Sequence, residues 1–182
     1  MKGLDHPEAL KLDLHTHLLE ALRLRMPTLE AVGRIVARVE AAGLDGIAIT
    51  EHDDAQGAFR VKEMVDEHFD GRILVIPGQE IDVPPEQIVE LYLPGGITFR
   101  FLAHPCHMNR PPPVDDSLHG IEIANWLHDW HINQDVVVEV AAKHNLIILR
   151  NSDAHHLEQV GRYHNLVSLE ELAARAQKTA IK

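Results

Sequence analysis

The chain has 182 residues, 45% of them apolar and 25% charged, proportions that suit one globular domain with a sizeable core. The formal net charge is −11, from 28 acidic against 17 basic residues, which excludes the basic footprint that duplex nucleic acid or an anionic membrane requires. A single cysteine, Cys106, excludes an internal disulfide and any all-cysteine metal site, whereas 14 histidines beside so many carboxylates suit a protein that holds cations.

The N-terminal residues carry no apolar signal segment and no run reaches the length of a membrane span, so a cytoplasmic location is expected. Residues 11–15 alternate as a half-buried strand does and lead into His15-Thr16-His17. Side chains alternate across a strand, so the two histidines share a face and can share an ion. Thr28 is placed to cap a helix running to about residue 42, with Val32, Ile35, Val36 and Val39 on one stripe and Gly43 ending it. Residues 46–50 form a short apolar strand of the kind found in parallel sheets covered on both faces. It delivers Glu51-His52-Asp53-Asp54. A helix over about 58–68 turns Val61, Met64 and Val65 inward. The next buried strand, 73–76, is followed by Pro77-Gly78-Gln79-Glu80, and a looser strand over 88–93 stops at Pro94-Gly95-Gly96.

Residues 98–103 form a strand ending in His104-Pro105-Cys106-His107, and the proline-rich stretch 110–114 is a rim or lid loop. A strand over 120–125 precedes a helix over about 134–144, whose Val137, Val140 and Ala141 are spaced to face a sheet. Residues 146–149 are the last clear strand and run into Asn151-Ser152-Asp153-Ala154-His155-His156. The tail from Ser168 is helical, with Ser168 and Glu171 forming a capping box.

Strand and helix alternate along much of the chain, the pattern of an α/β fold with a largely parallel sheet. The polar clusters follow strands: His15 and His17, His52, Glu80, His104, Asp153 and His155. Barrel enzymes gather their sites at strand C-terminal ends, and clusters after at least five strands converge best in a barrel. The length is small for eight strand–helix units, so the expected barrel is small and irregular.

In this order the segments resemble the PHP (polymerase and histidinol phosphatase) family over about residues 11–175. Asp13-Leu14-His15-Thr16-His17 is similar to the first family motif. The segment from Gly43 to Asp53 resembles the second, with Glu51 where Asp is usual. Pro77-Gly78-Gln79-Glu80-Ile81, Ala103-His104-Pro105, Gly120-Ile121-Glu122-Ile123 and Ser152-Asp153-Ala154-His155 follow in register. The resemblance implies one PHP-like domain over 1–182, a distorted (β/α)7 barrel with two or three divalent ions in its mouth, and phosphoester hydrolysis as the commonest activity. It implies one ion on His15, His17, Glu80 and Asp153, with Glu80 bridging to a second ion that also takes His104. The family's further histidine, ten residues after the bridging Glu, is Glu90 here. A third ion would use His52 and His155. The Ser-Asp pair that follows the family's first motif is absent, and Glu20 is the nearest replacement.

Imidazole and carboxylate donors suit manganese, iron or zinc, and a ligating Glu90 would favour the harder of these. Such ions acidify water, and a pair can hold the attacking and leaving oxygens of an in-line displacement. The expected reaction is therefore attack by a metal-bridging hydroxide on a small or nucleotide-like phosphoester. Asp53 is the candidate proton carrier or orienter, with a helix N-cap as its alternative role. Arg23 and Arg25 are candidate contacts to substrate phosphate. Glu122 reads as a structural or rim carboxylate, His107, His128, His131 and His156 as rim or surface residues, and Cys106 as a buried filler. Trp126 and Trp130 read as packing residues. Two other functions compete: an amidohydrolase-type carbonyl hydrolase, and a non-catalytic, metal-stabilised PHP module. Against the first, the bridging lysine of such hydrolases has no counterpart, since Lys62 and Lys143 fall within predicted helices.

Overall fold

A computed structural model describes residues 9–105 and 110–179. Cys106 and His107 lie outside the described residues. The chain forms a nearly closed barrel of eight strands with helices packed outside it. The strands are β1 (Leu10–Asp13), β2 (Gly46–Ile49), β3 (Leu74–Val83), β4 (Glu86–Leu93), β5 (Ile97–Ala103), β6 (Gly120–Asn125), β7 (Ile147–Asn151) and β8 (Asn165–Val167). The sheet order is β7-β6-β5-β4-β3-β2-β1-β8. β1, β2 and β3 run parallel, as do β5, β6 and β7, while β3-β4-β5 is an antiparallel meander and β8 pairs antiparallel with β1.

The expected helices form where their stripes and caps place them. α1 (Leu18–Ala21) precedes α2 (Leu29–Ala41), where the Thr28 hydroxyl accepts from Ala31 N at 3.2 Å. α3 (Gln56–His68) follows β2, and α2 and α3 lay Val32, Ile35, Val36, Val39, Val61 and Val65 over Ile47, Ile49 and Val75. α4 (Gln134–His144) is capped by Asn133 and covers β6 with Val137, Val140 and Ala141. α5 (Leu169–Thr179) is capped by Ser168, and its Leu172 and Ala176 join the barrel interior of Leu12, Leu14, Ile76, Leu91, Phe99 and Phe101. No helix among the described residues is long and apolar enough to cross a membrane.

Three features differ from the expected alternation. Residues 74–93 form a long hairpin with no helix between its strands, because the two-residue turn at Pro84-Pro85 leaves too little chain for a crossover. β8 and α1 have only three and four residues, too short to leave a periodic signal. β1 stops at Asp13, so the histidine pair is delivered just beyond the strand proper.

Closure comes from the strand ends. Past β1 and β7, Thr16 and Ala154 form a parallel bridge, with Asp153 N donating to His15 O and His17 N to Ala154 O, both at 2.9 Å. At the seam between β1 and β7 the Asn165 side chain of β8 substitutes for strand pairing. It donates to Leu12 O, Arg150 O and Asn151 Oδ1 and accepts from Arg150 N. Thr50 N donates to Thr16 O, and His52 and Glu80 bridge in parallel, so the loops carrying the polar clusters are held as a continuous rim.

Candidate metal centre

The barrel mouth gathers most of the expected residues. His15, His17, Glu80 and Asp153 are almost completely buried. His15 Nε2 and His17 Nε2 stand 3.1 Å apart. His15 Nε2 is 3.5 Å from Glu80 Oε1 and 3.6 Å from Asp153 Oδ1, and His17 Nε2 is 3.4 Å from Glu80 Oε2 and 3.2 Å from Asp153 Oδ1. Donors held about 2.1 Å from a shared ion stand about 3.0–3.4 Å from one another, and the spacing here, 3.1–3.6 Å, is close to that of a first coordination shell. Asp153 Oδ1 is buried with no hydrogen-bond partner, an acceptor facing the cluster that a cation would satisfy. The residues fit divalent metal.

Among the described residues the mouth holds three donor groups: His15, His17 and Glu80; His17, Glu20, His52 and His155; and His104, His128 and Asp153. Glu80 links them, one oxygen facing His15 and His104 (3.1 Å), the other His17 and His52 (3.2 Å). Asp153 does the same, with Oδ1 near His155 Nδ1 at 3.4 Å and Oδ2 near His128 Nε2 at 3.6 Å. Glu20 Oε1 meets His52 Nδ1 at 2.9 Å.

The supporting shell is built from buried polar side chains. Ile121 and Ile123 of β6 face α4, which turns Glu122 inward, where it is fully buried. Its Oε1 meets His15 Nδ1 at 3.0 Å and accepts from Asn151 Nδ2, while Oε2 accepts from His104 N and Asn125 Nδ2. A carboxylate on the far nitrogen of a ligating histidine fixes the ring and its tautomer. Glu122 is thus a structural carboxylate, and its bonds show what it orders. Asp13, buried beside this network, accepts from Ser152 N and Gly161 N and so ties β1 to the loop bearing Asp153 and His155. His104 (φ 28°) and Asp153 (φ 52°) adopt left-handed backbone, a strained conformation that clusters at functional sites.

The electrostatics follow from this crowding. Burial penalises a charged His15, yet Asp153, Glu80 and Glu122 around it outweigh that and push its pKa well up. Burial likewise opposes ionisation of Glu80 and Asp153, and the surrounding imidazoles overcome it and hold both carboxyls below their usual range. At the open edge, bonds to Glu80 and then Glu20, against some desolvation, raise His52 to about 9.

Several expected residues stand elsewhere. Glu90 does not reach the mouth. The register pairs Val89 with Glu80, which puts Glu90 on the opposite face, in a row with Gln79 and Arg100. There it accepts from Gln79 and Tyr92 and pairs with Arg100 at 3.1 Å. His128, read as a rim residue, takes a place in the His104 group instead. Its signal was the position three residues past Asn125, at the end of the strand bearing Glu122. Asp53 belongs to no donor group. Its N–H donates to Glu80 O at 2.9 Å, and the residue that accepts at the start of α3 is Asp54, from Gln56 N. Arg25 lines a hollow of about 220 Å³ with Glu20, His52 and Asp54, whereas Arg23 is exposed outside it. Beside His104, His128 and His131 opens a larger crevice of about 530 Å³, walled by Pro84, Pro85, Asp82, Glu86 and Trp130. Trp130 is 78% exposed and stands edge-on to the His131 ring at 4.6 Å, so it walls the crevice and is not a core residue, while Trp126 lies under Arg162 and against Tyr163. His131 Nε2 meets His104 O at 3.0 Å, and His156 is exposed.

Comparison with known proteins agrees with this architecture. Residues 132–178 match the model of a PHP-associated family segment. A protein described as a metal-dependent phosphoesterase, from Bifidobacterium adolescentis, shares the fold with a TM-score of 0.63 at 13% identity, over 94% of this chain and 98% of that one. The matched segment spans about a quarter of the chain, and the likeness to this structure is one of fold. PsfC from Pseudomonas syringae is similar at a TM-score of 0.63 and 18% identity, over 92% of this chain and 88% of its own. An amidohydrolase from Chromobacterium violaceum, solved with sulfate and no metal, is similar at 0.59 and 15% identity, over 90% and 96%. No curated protein matches the sequence. The chain therefore shares its barrel with these proteins, and its described residues carry histidine–carboxylate groups fitted to divalent metal.

Proposed function

We propose that this chain is a PHP domain and a metal-dependent phosphoester hydrolase acting on a small-molecule substrate in the cytoplasm. The observation that carries the reading is the double bridge: Glu80 and Asp153 each offer two oxygens to different imidazole sets. Two or three ions held this way would supply Lewis acidity, charge neutralisation and an acidified water. His15, His17, Glu80 and Asp153 would hold the central ion, His104 and His128 the inner neighbour, and Glu20, His52 and His155 the outer one. With His128 in place of Glu90 the donor set is richer in nitrogen, which favours zinc or iron and leaves manganese as the harder alternative.

The chain's own residues supply position. Glu122 fixes the His15 ring, Asn125 holds Asp153 Oδ2 at 3.2 Å, and the paired rim keeps the donors in register. Arg25, at the edge of its hollow, would meet a substrate oxyanion on the outer side. The crevice beside His128 would receive the leaving group, with Trp130 and the two prolines as an apolar wall. Neither Asp53 nor Arg23 is given a step. An acidic surface suits a small phosphoester better than duplex nucleic acid.

The similarity to an amidohydrolase keeps carbonyl hydrolysis as the second reading, although Lys62 and Lys143 sit on α3 and α4 on the outside of the barrel. Replacing His15 and His17 by Ala in the metal-loaded protein separates the possibilities. Loss of aryl phosphate hydrolysis with an unchanged circular dichroism spectrum is the expected result. Loss of fold alone would point to a structural metal, and hydrolysis of an amide in place of the phosphate would point to the second reading.

A further inference from the structure

The outer donor group includes Glu20, and Glu20 stands on α1, the shortest α-helix among the described residues. A four-residue helix has no internal partners for its first N–H groups and is marginal alone. His17 occupies its N-cap position and makes no side-chain capping bond, its ring being part of the metal cluster. The acceptor comes from the neighbouring strand end. Glu51, buried at 6% exposure, accepts from Leu19 N through Oε1 at 2.7 Å and from Glu20 N through Oε2 at 3.2 Å. α1 is also held from the other side, where Leu19 fills the notch beside Gly57. A Cβ on that glycine would stand 2.4 Å from Leu19 Cδ1. With its backbone so fixed, Glu20 accepts from His52 N at 3.2 Å and meets His52 Nδ1 at 2.9 Å.

We propose that Glu51 is the positioning residue of the outer metal position: its carboxylate caps α1 from outside the helix and so holds Glu20 in the group with His17, His52 and His155. Glu51 itself lies in none of the donor groups. Its length matters, since an aspartate is one methylene shorter and a glutamine presents an NH2 to one of two N–H donors. The inference rests on the metal-dependent reading above.

The test is calorimetric titration of Mn²⁺ into the metal-free full chain, comparing wild type, Glu51→Gln, Glu20→Gln and the double variant. Glu20→Gln is expected to weaken the weakest class of site. Glu51→Gln is expected to weaken that same class about 10- to 100-fold while the tighter class is unchanged. The double variant should then bind no more weakly than Glu20→Gln, because the two residues act through one contact. A wild-type isotherm for Glu51→Gln, additive losses, or equal weakening of every class overturns the proposal and leaves the metal centre standing. Wild-type protein that takes up no Mn²⁺ overturns both. Where circular dichroism shows Glu51→Gln unfolded, Glu51→Asp is read in its place. A selectively weakened outer site supports the proposal, and an unaltered isotherm overturns it.

Discussion

Glu80 offers its two oxygens to two different pairs of imidazoles, so substituting one oxygen breaks one bridge and leaves the other. Glu80→Gln is expected to lose at least one equivalent of bound metal, read by elemental analysis, with the fold retained. Glu122 is in no donor group and meets His15 from the far side of its ring, so Glu122→Gln should weaken metal binding by about 10- to 100-fold without changing stoichiometry at saturation. His52 gives a pH dependence of the metal-free protein. Its folded pKa, about 9, lies above the ordinary 6.5, so its pairing with Glu80 and Glu20 stabilises fully below about 6.5 and is lost as pH rises through 9. The melting temperature of the metal-free protein should fall across that window, and His52→Gln should flatten the fall. At this scale the sequence was readable where a residue sits in a motif: His15, His17, Glu80, Asp153 and His155 all meet in the mouth. It was unreadable where facing depends on register, as Glu90 shows, or on a turn beyond a strand end, as His128 shows.

At the scale of elements, the close approach of β2 to its neighbours is set by Gly46, whose replacement by Ala would put a Cβ 2.5 Å from Leu74 O. Backbone cannot yield as a side-chain tip can, so Gly46→Ala is expected to cost about 1–3 kcal/mol, measured as a lower urea midpoint with an unchanged slope. The helices and buried strands were legible because their stripes, caps and apolar runs are local signals: Thr28, Asn133 and Ser168 each accept the capping bond. The hairpin of β3 and β4 was less so. Its consequence for Glu90 follows from the Glu80–Val89 pairing, a fact about two strands that neither strand reveals alone. α1 escaped notice for a related reason, since its stability comes from Glu51, more than thirty residues away in sequence.

For the whole molecule, the barrel closes through strand ends that also bear the donors, so binding at the mouth and closure of the fold are coupled. Metal-loaded protein should therefore melt at a higher temperature than metal-free protein, and a chelator should reverse the difference. The phosphoester hydrolysis proposed for this mouth is tested most directly by elemental analysis of the purified protein alongside release of phosphate from an aryl phosphate, with and without added Mn²⁺. Two to three equivalents of divalent metal and chelator-sensitive release are expected. No metal after reconstitution, or full metal occupancy with no phosphate released from any phosphoester tried, would contradict it.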